Sequence, residues 1–475
     1  MNTPLKIAFL TPGTGGWYCG ACMRDNALAK ALRAAGHEVS LLPMYLPLQL
    51  DEEMLENSHV APVFFGGINV FLRQKFAWFR RSPGWLDKLL NHPRLLRGVA
   101  RHSHMTSARE HGELTLAMLR PEDRRFGKEE DQLCAWLEQE SPDILCLSTA
   151  LQAGMIRTLK QRLSAKVICC FQGEDTFLDG LPEPCRDACW RELALRVREA
   201  DALISPSVFY ADLMKSRLGP DHLTITVMPN GINLDGYVPL ADKPGPPVIG
   251  FLARLSREKG LEVMVEAFIH LRTVLGDCSA RLHLAGAATA ENQTLIKTLK
   301  QRLEAVGLSD KVRWQSNISR EAKSALLRSL TLFSVPATYP EAFGLYVIEA
   351  MASGVPVVQP ATASFPEIVA HGRGVLVPSR SAGVPPASPA CMDAIALALA
   401  WHDLLQQPNK LRELAAAGRR AAEEFYDISV MRDRFLALAG ELLGRGAGIL
   451  PAGLESGQHA RTTGGTPGDN RPPAS

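Results

Sequence analysis

Short apolar runs bounded by glycine, proline or polar residues alternate along this chain with longer amphipathic stretches, and that alternation predicts strand–helix units. Ile7 to Leu10 reads as a first strand, a glycine-rich loop follows, and Asn26 to Ala35 reads as a helix ended by Gly36. A second strand is expected from Glu38 to Leu42. Val167 to Phe171 reads as another, ending at the polar loop Gln-Gly-Glu-Asp, and Ala202 to Ser205 and Thr224 to Met228 read as the last strands of a first domain. The stretch Val238 to Pro247 is proline-rich and polar, as a linker would be. The pattern then repeats: strands are expected at Val248 to Ala253, Arg281 to Ala285, Lys311 to Gln315, Leu332 to Val335 and Val355 to Val358, with an amphipathic helix from Leu261. Such alternation argues for an α/β fold whose parallel sheets are covered on both faces.

At 475 residues the chain exceeds one ordinary core, so two domains are the default. The expected division is a first domain over 1–237, a linker over 238–247, a second domain over 248–427, a helix over 428–443 and a tail over 444–475. The tail is rich in Gly, Pro, Thr and Arg and has too few large apolar residues to pack, so disorder is expected there. Residues 379–390 have loop composition. Hydrophobic content of 46% and charged content of 21% describe a soluble globular protein, and a net charge of +2 gives no argument for nucleic acid. The N-terminus has a short apolar run followed at once by Pro and Gly, which reads as a strand and not as a signal peptide. Apolar runs of about 18 or more, long enough to span a bilayer, are missing. Ten cysteines without an export signal point to reduced thiols in the cytoplasm.

The densest chemistry lies in EAFGLYVIEAMASGVPVV, where Glu341 and Glu349 are eight residues apart. A loop entering a helix through a small residue presents unpaired amides, and with the helix dipole these form an anion site. Carboxylates beside it suit a ligand carrying phosphate and hydroxyls, which describes a nucleotide sugar. Phe343, Val347 and Met351 recur every four residues and fit a core stripe better than ligand contacts. Upstream, Arg254 and Lys259 lie on an expected strand-to-helix loop, where two cations can meet a diphosphate at the carboxyl edge of a parallel sheet.

These residues carry a family resemblance. The chain resembles glycosyltransferase family 4, retaining nucleotide-sugar-dependent transferases of the GT-B fold, over roughly residues 5 to 440. The glutamate pair of that family corresponds to Glu341 and Glu349, and its Arg/Lys pair to Arg254 and Lys259. Val227 to Tyr237, Pro366 to Val369 and Gly374 to Pro378 match further family segments. The resemblance implies two Rossmann-like parallel-sheet domains facing a cleft, with the helix at 428–443 crossing back onto the first domain. It also implies transfer of a hexose from a nucleoside-diphosphate donor to a glycan or lipid-linked hydroxyl, with anomeric retention and no required metal. Glu349 would hold the ribose hydroxyls and Glu341 the sugar hydroxyls. Arg254, Lys259 and the amides of Phe343, Gly344 and Leu345 would stabilise the leaving diphosphate.

In the first loop a dinucleotide fingerprint fails, because Tyr18 stands where the third glycine belongs and the second strand ends without an acid. The resemblance instead lets Gly15 and Gly16 approach the donor; a tight turn alone would also need them. In FQGEDTF, Gln172 stands where the family often has histidine and cannot act as acid or base. Asp175 is the better candidate for orienting the acceptor, with helix capping as its plainer role. Before Pro366, Ala363 and Ser364 replace the usual glycine pair, so a stiffer loop is expected. Cys19 with Cys22, and Cys185 with Cys189, are close pairs expected in loops at one edge of the first domain. Four thiolates so spaced could bind a structural zinc or a cluster, or remain unligated. The segment 71–109 carries nine cations against Asp87, with Trp78, Phe79 and Trp85 interleaved. It suits peripheral contact with an anionic membrane, or a solvated face with its aromatics turned inward.

Three rivals stand beside the transferase reading: a glycoside hydrolase, a sugar-nucleotide epimerase on the same fold, and a non-catalytic sugar-nucleotide-binding protein. A hydrolase needs carboxylates flanking one bond and leaves Arg254 and Lys259 without a partner.

Overall fold

The computed structural model of the chain describes residues 3–13, 20–46, 48, 63–65, 108–219, 223–240, 245–277, 279–370, 373–378 and 393–445. Gly15, Gly16 and Cys19 lie outside the described residues, as do the loop at 379–390, the tail from 446 and, apart from its last two residues, the basic segment 71–109.

The first sheet contains β1 (Lys6–Thr11), β2 (Glu38–Pro43), β3 (Ile144–Leu147), β4 (Lys166–Cys170), β5 (Ala202–Ser205) and β6 (Thr226–Val227). They run in the order β2-β1-β3-β4-β5-β6, every neighbouring pair parallel. The second contains β7 (Val248–Leu252), β8 (Arg281–Gly286), β9 (Val312–Ser316) and β10 (Leu332–Phe333), in the order β10-β7-β8-β9. A short parallel pair, β11 (Val358–Pro360) and β12 (Val375–Val377), continues it through the bridge between Phe333 and Val357.

The first sheet is buried on both faces, as the continuous apolar runs require of a parallel sheet. Ile7, Phe9, Ile144, Cys146, Ile168 and Cys170 enter one core cluster, while Ala8, Leu10, Leu145, Leu147, Val167 and Cys169 enter the other. The helix Ile428–Leu442 closes the first of these faces with Met431, Phe435 and Ala439, four residues apart, and the Phe435 ring lies 5.7 Å from that of Phe9. The chain thus returns from the second sheet to cover the first.

Several elements differ from expectation. The first helix runs Gly20–Ala34 and so begins six residues earlier than the apolar periodicity suggested. Its extra turn carries Arg24 and Asp25, an ion pair whose side chains are 2% and 0% exposed. Asp25 accepts from Thr11 Oγ1 at 2.8 Å and from Ser148 Oγ, which fastens the helix start to the ends of β1 and β3. Polar residues here bury because they are paired, which periodicity cannot register. Strand β11 begins at Val358, later than read, because Val357 makes only the isolated bridge.

Candidate functional site

The two parallel sheets bring their carboxyl ends toward one another, the position where open α/β sheets bind ligands. From the second domain come Arg254 and Lys259 after β7 and the segment Tyr339–Leu345 after β10. Gly260 takes φ +76°, and a Cβ there would stand 1.8 Å from the Pro336 carbonyl oxygen. Only glycine allows the turn into the helix Leu261–Thr273 to lie so close to the β10 loop. That approach sets Lys259 against Glu341, Nζ to Oε2 at 2.5 Å, with both side chains almost wholly buried.

Glu341 Oε2 is a convergence point. It also accepts the hydroxyls of Tyr339 and Tyr346, each at 2.8 Å, and Lys259 bonds the Tyr339 hydroxyl as well. The ammonium lies 4.8 Å and 5.2 Å from the two ring centroids. Burial alone would raise the Glu341 pKa, but Lys259 and the two phenols outweigh it and hold the carboxyl below its ordinary value. Burial and the Glu341 charge push both tyrosines well up, so they stay protonated donors. Arg254 is exposed.

Phe343 is 5% exposed and packs its ring edge-on to Tyr426, and Val347 and Met351 are fully buried, so this stripe is core. Gly344, at φ +91°, turns the chain into the helix Leu345–Ala352. A side chain there would press on the Phe365 ring at 3.2 Å. Glu349, on that helix, accepts the Tyr237 hydroxyl at 2.9 Å and Lys323 Nζ at 2.6 Å, both on Oε1. The two glutamates therefore occupy separate cages of one lysine plus tyrosine.

From the first domain, Gln172 and Asp175 follow β4. Asp175 is 5% exposed, accepts the Tyr210 hydroxyl at 2.9 Å, and burial raises its pKa. Its charge is felt at the Tyr339 hydroxyl of the other domain. Glu174 gathers the loop: it accepts the amides of Ala150, Gln172 and Gly173 and the hydroxyls of Thr149 and Tyr210, at 2.7–3.1 Å. A Cβ on Gly20, the first described residue after the glycine-rich loop, would stand 3.5 Å from Leu345 Cδ1.

Cys22 lies inside the first helix, not in a loop, and Cys185 and Cys189 lie on the helix Cys185–Arg196. Cys22 packs on one face of the first sheet and Cys189 on the other. Burial pushes the Cys189 thiol up to about 12. Core packing, not a shared edge, thus sets these positions, and the described residues hold no cluster of three or more His, Cys, Asp and Glu suited to a metal ion.

Sequence reasoning missed Tyr237, Lys323, Tyr339, Tyr346, Glu174, Tyr210 and Glu367. Tyr237 and Glu367 had a signal in the matched segments Val227 to Tyr237 and Pro366 to Val369, and Tyr346 and Glu174 lay inside motifs read for other residues. Glu367 accepts the amides of Val208 and Phe209 at 2.8 Å and 2.6 Å, joining the domains, and Ser207 Oγ donates across the same junction to the Ala342 carbonyl at 2.7 Å.

No helix among the described residues is long and apolar enough to cross a membrane. Solved structures share the architecture. Sucrose-phosphate synthase from Thermosynechococcus elongatus aligns over 94% of this chain and all of its own, with a TM-score of 0.67 and 18% identity. Anabaena HepE, solved in complex with UDP-glucose, aligns over 93% of this chain and all of its own, with a TM-score of 0.60 and 17% identity. Among curated proteins, D-inositol 3-phosphate glycosyltransferase of Mycolicibacterium smegmatis is 30% identical over 48% of this chain and 49% of its own length. Mannosylfructose-phosphate synthase of Agrobacterium fabrum is 29% identical over 38% of this chain and 42% of its own. The chain thus spans about half the length of the curated relatives it matches. The family model for glycosyl transferases group 1 matches residues 239–384, and that for the glycosyl transferase 4-like domain matches residues 23–231. With both halves matched and the paired parallel sheets in place, the chain belongs to glycosyltransferase family 4.

Proposed function

We propose that this protein transfers a hexose from a nucleoside-diphosphate sugar to a hydroxyl of a glycan or lipid-linked acceptor, with retention of anomeric configuration. The observation that carries the reading is the Lys259–Glu341 pair, fixed by two phenols beside the open first turn of Leu345–Ala352. Departure of the diphosphate is the costly event, since negative charge builds on its oxygens. Arg254, Lys259 and the amides of Phe343, Gly344 and Leu345 receive that charge, so the chemistry asks for no bound metal. The three donors to Glu341 all fall on Oε2, and Oε1 takes the sugar hydroxyls. Glu349 likewise offers Oε2 to the ribose, its Oε1 being held by Tyr237 and Lys323. Holding sugar and nucleotide at fixed positions converts their encounter with the acceptor into a near-unimolecular step.

Asp175 and Gln172 orient the acceptor, and Gly15 and Gly16 approach the donor. The leaving phosphate oxygen receives the acceptor proton. The work belongs in the cytoplasm, with segment 71–109 meeting an anionic membrane surface from its inner side. HepE, of the same fold, was solved with UDP-glucose, which supports a nucleotide-sugar donor here.

A thermal-shift panel of UDP-, GDP- and ADP-sugars tests the reading, followed by product analysis with the donor that binds. One such compound should raise the melting temperature, and Glu341→Ala and Lys259→Ala should abolish turnover. A chain that none of them stabilises, or full activity in either variant, refutes it. Isomerised sugar nucleotide formed without acceptor would make it an epimerase.

A further inference from the structure

A lysine ammonium has three N–H groups, and Lys259 engages two of them, one on Glu341 Oε2 and one on the Tyr339 hydroxyl. The reading above also gives this cation the leaving diphosphate. The two demands conflict. A diphosphate that shares the ammonium weakens its hold on Glu341 and brings further negative charge beside a carboxylate whose side chain is 13% exposed. Both effects favour protonation of Glu341, as burial already does. A protonated Glu341 would lose the charge with which Oε1 holds sugar hydroxyls.

A phenol carries no charge for the diphosphate to draw away. Tyr339 is only partly independent of the cation, because its oxygen accepts from Lys259. Tyr346 is independent of it: among the described residues its hydroxyl bonds Glu341 Oε2 alone, at 2.8 Å. Its ring is fixed from outside the ion pair. It lies 6.3 Å from the ring of Phe333 and 6.5 Å from that of Phe365, both fully buried. It also folds back over the turn that opens its own helix, since a Cβ on Gly344 would stand 3.6 Å from the Tyr346 hydroxyl oxygen. Core packing therefore aims this hydroxyl at Glu341, whatever Lys259 does.

We propose that Tyr346 is a positioning residue, which keeps the Glu341 carboxylate charged and in place once the diphosphate shares Lys259. This rests on the sugar-transfer reading above. In the ligand-free protein the Lys259 charge is the main counterweight to burial. The phenol becomes decisive only in the donor complex.

The test compares the full chain with its Tyr346→Phe variant, which keeps the ring, its packing and its face 5.2 Å from the Lys259 ammonium. Isothermal titration with UDP-glucose, GDP-mannose and ADP-glucose at pH 7.5 finds the donor that binds wild type, and its Kd is then followed down to pH 5.5. Nucleotide sugars carry no group that titrates in that window. Arg254 stays charged throughout, and Asp175, across the cleft, titrates alike in both proteins. The variant-to-wild-type ratio of Kd thus reports Glu341. It should grow by about tenfold as pH falls, as loss of one hydrogen bond to a charged group implies. Acid unfolding of the ligand-free variant should begin near the wild-type pH, unlike that of Lys259→Met, which removes the cation. A variant whose Kd follows wild type across the range overturns the role. So does a ligand-free acid transition displaced as far as in Lys259→Met, since the hydroxyl would then serve the fold and not the complex. Wild type that binds none of the three compounds overturns the proposed function and this role with it.

Discussion

The carboxylate of Glu367 accepts the backbone amide of Phe209 at 2.6 Å, a bond between residues of different domains. The amide of Val208 reaches the same group at 2.8 Å. Val208 and Phe209 open the helix Val208–Leu218, whose first amides lack intrahelical acceptors. Ser207, its N-cap, serves the Tyr210 amide at 3.1 Å, so the second domain supplies the acceptor for the two amides before it. A negative charge at the positive end of a helix is favourable as well.

This junction should respond to pH. Burial raises the Glu367 pKa above its ordinary 4.5, and the two amides only partly offset it. A carboxyl raised on docking binds its proton more readily when the domains are together. Its contribution is therefore fully present below 4.5 and is lost as pH rises through the raised value. Solution scattering on wild type should show a more compact particle near pH 4.5 than near pH 7. Glu367→Gln, which keeps an acceptor oxygen, should remove the difference. Glu367→Ala should loosen the junction by about 1–3 kcal/mol and enlarge the radius of gyration at both pH values. A pH-independent wild type would contradict the assignment.

For Lys259 and Glu341 the sign is opposite. The pair holds the Glu341 pKa below 4.5, so its stabilisation is present above that value and is lost as pH falls through the lowered one. Lys259→Met leaves a buried carboxylate without its cation, at a cost of about 3–5 kcal/mol. Acid denaturation followed by circular dichroism should then begin at higher pH than in wild type. Glu341→Gln leaves the Lys259 ammonium without its anion but keeps an oxygen that can accept from it and from the two phenols, so it should be milder. Turnover should fall by about two orders of magnitude or more in both. An unshifted acid transition in Lys259→Met would show that the pair is not the stabilising contact.

Glu174 stands beside the candidate acceptor residues without being one of them. Removing its carboxylate leaves the amides of Ala150, Gln172 and Gly173 without an acceptor. At about 1 kcal/mol or more per orphaned donor, Glu174→Ala should lower stability by about 3 kcal/mol in urea unfolding. Kinetics separate this from a catalytic role: at temperatures where the variant is folded, donor KM should be unchanged while the acceptor step slows. Unchanged unfolding would mean that the loop finds other acceptors.

The sheets were legible where strands are apolar and flanked by turn residues. Ala202–Ser205 matches the reading to the residue, and β1, β2 and β7 differ only at their ends. Strand β3 gave no such signal: four apolar residues cannot be told from a helix fragment by periodicity. The candidate site was legible only in part, for a related reason. Glu341, Glu349, Arg254 and Lys259 sit in spaced motifs, and Tyr339 and Tyr346 lie close to Glu341 in the chain, but other groups that set their charge and geometry are distant in sequence. Lys259 is 82 residues from Glu341, and Tyr237 is 112 from Glu349. That Lys259 meets Glu341 and Tyr237 meets Glu349 depends on how β7 and β10 pair and how the linker returns, and no local pattern encodes that.

The loop before Pro366 carries the last prediction. Ala363 and Ser364 replace a glycine pair of the family, yet Ala363 still takes φ +55°, the left-handed conformation that glycine favours. Ala363 thus holds a conformation that strains an L-residue, by about 1–2 kcal/mol. Ser364 compensates by bonding the segment Glu341–Phe343, its hydroxyl to the Phe343 carbonyl at 2.9 Å and its amide to the Glu341 carbonyl at 3.4 Å. Ala363→Gly relieves the strain but gains about 0.4–1 kcal/mol of unfolded-chain entropy, so its melting temperature should be equal to or slightly above that of wild type. Ala363→Val adds β-branching to the same φ and should destabilise by more than 1 kcal/mol. Because the strained turn braces Glu341 and Phe343, Ala363→Val should also raise donor KM, as should Ser364→Ala, which leaves the buried Phe343 carbonyl without its hydroxyl partner at a cost of about 1–3 kcal/mol. A valine variant as stable as wild type would show that the left-handed turn is not maintained in solution.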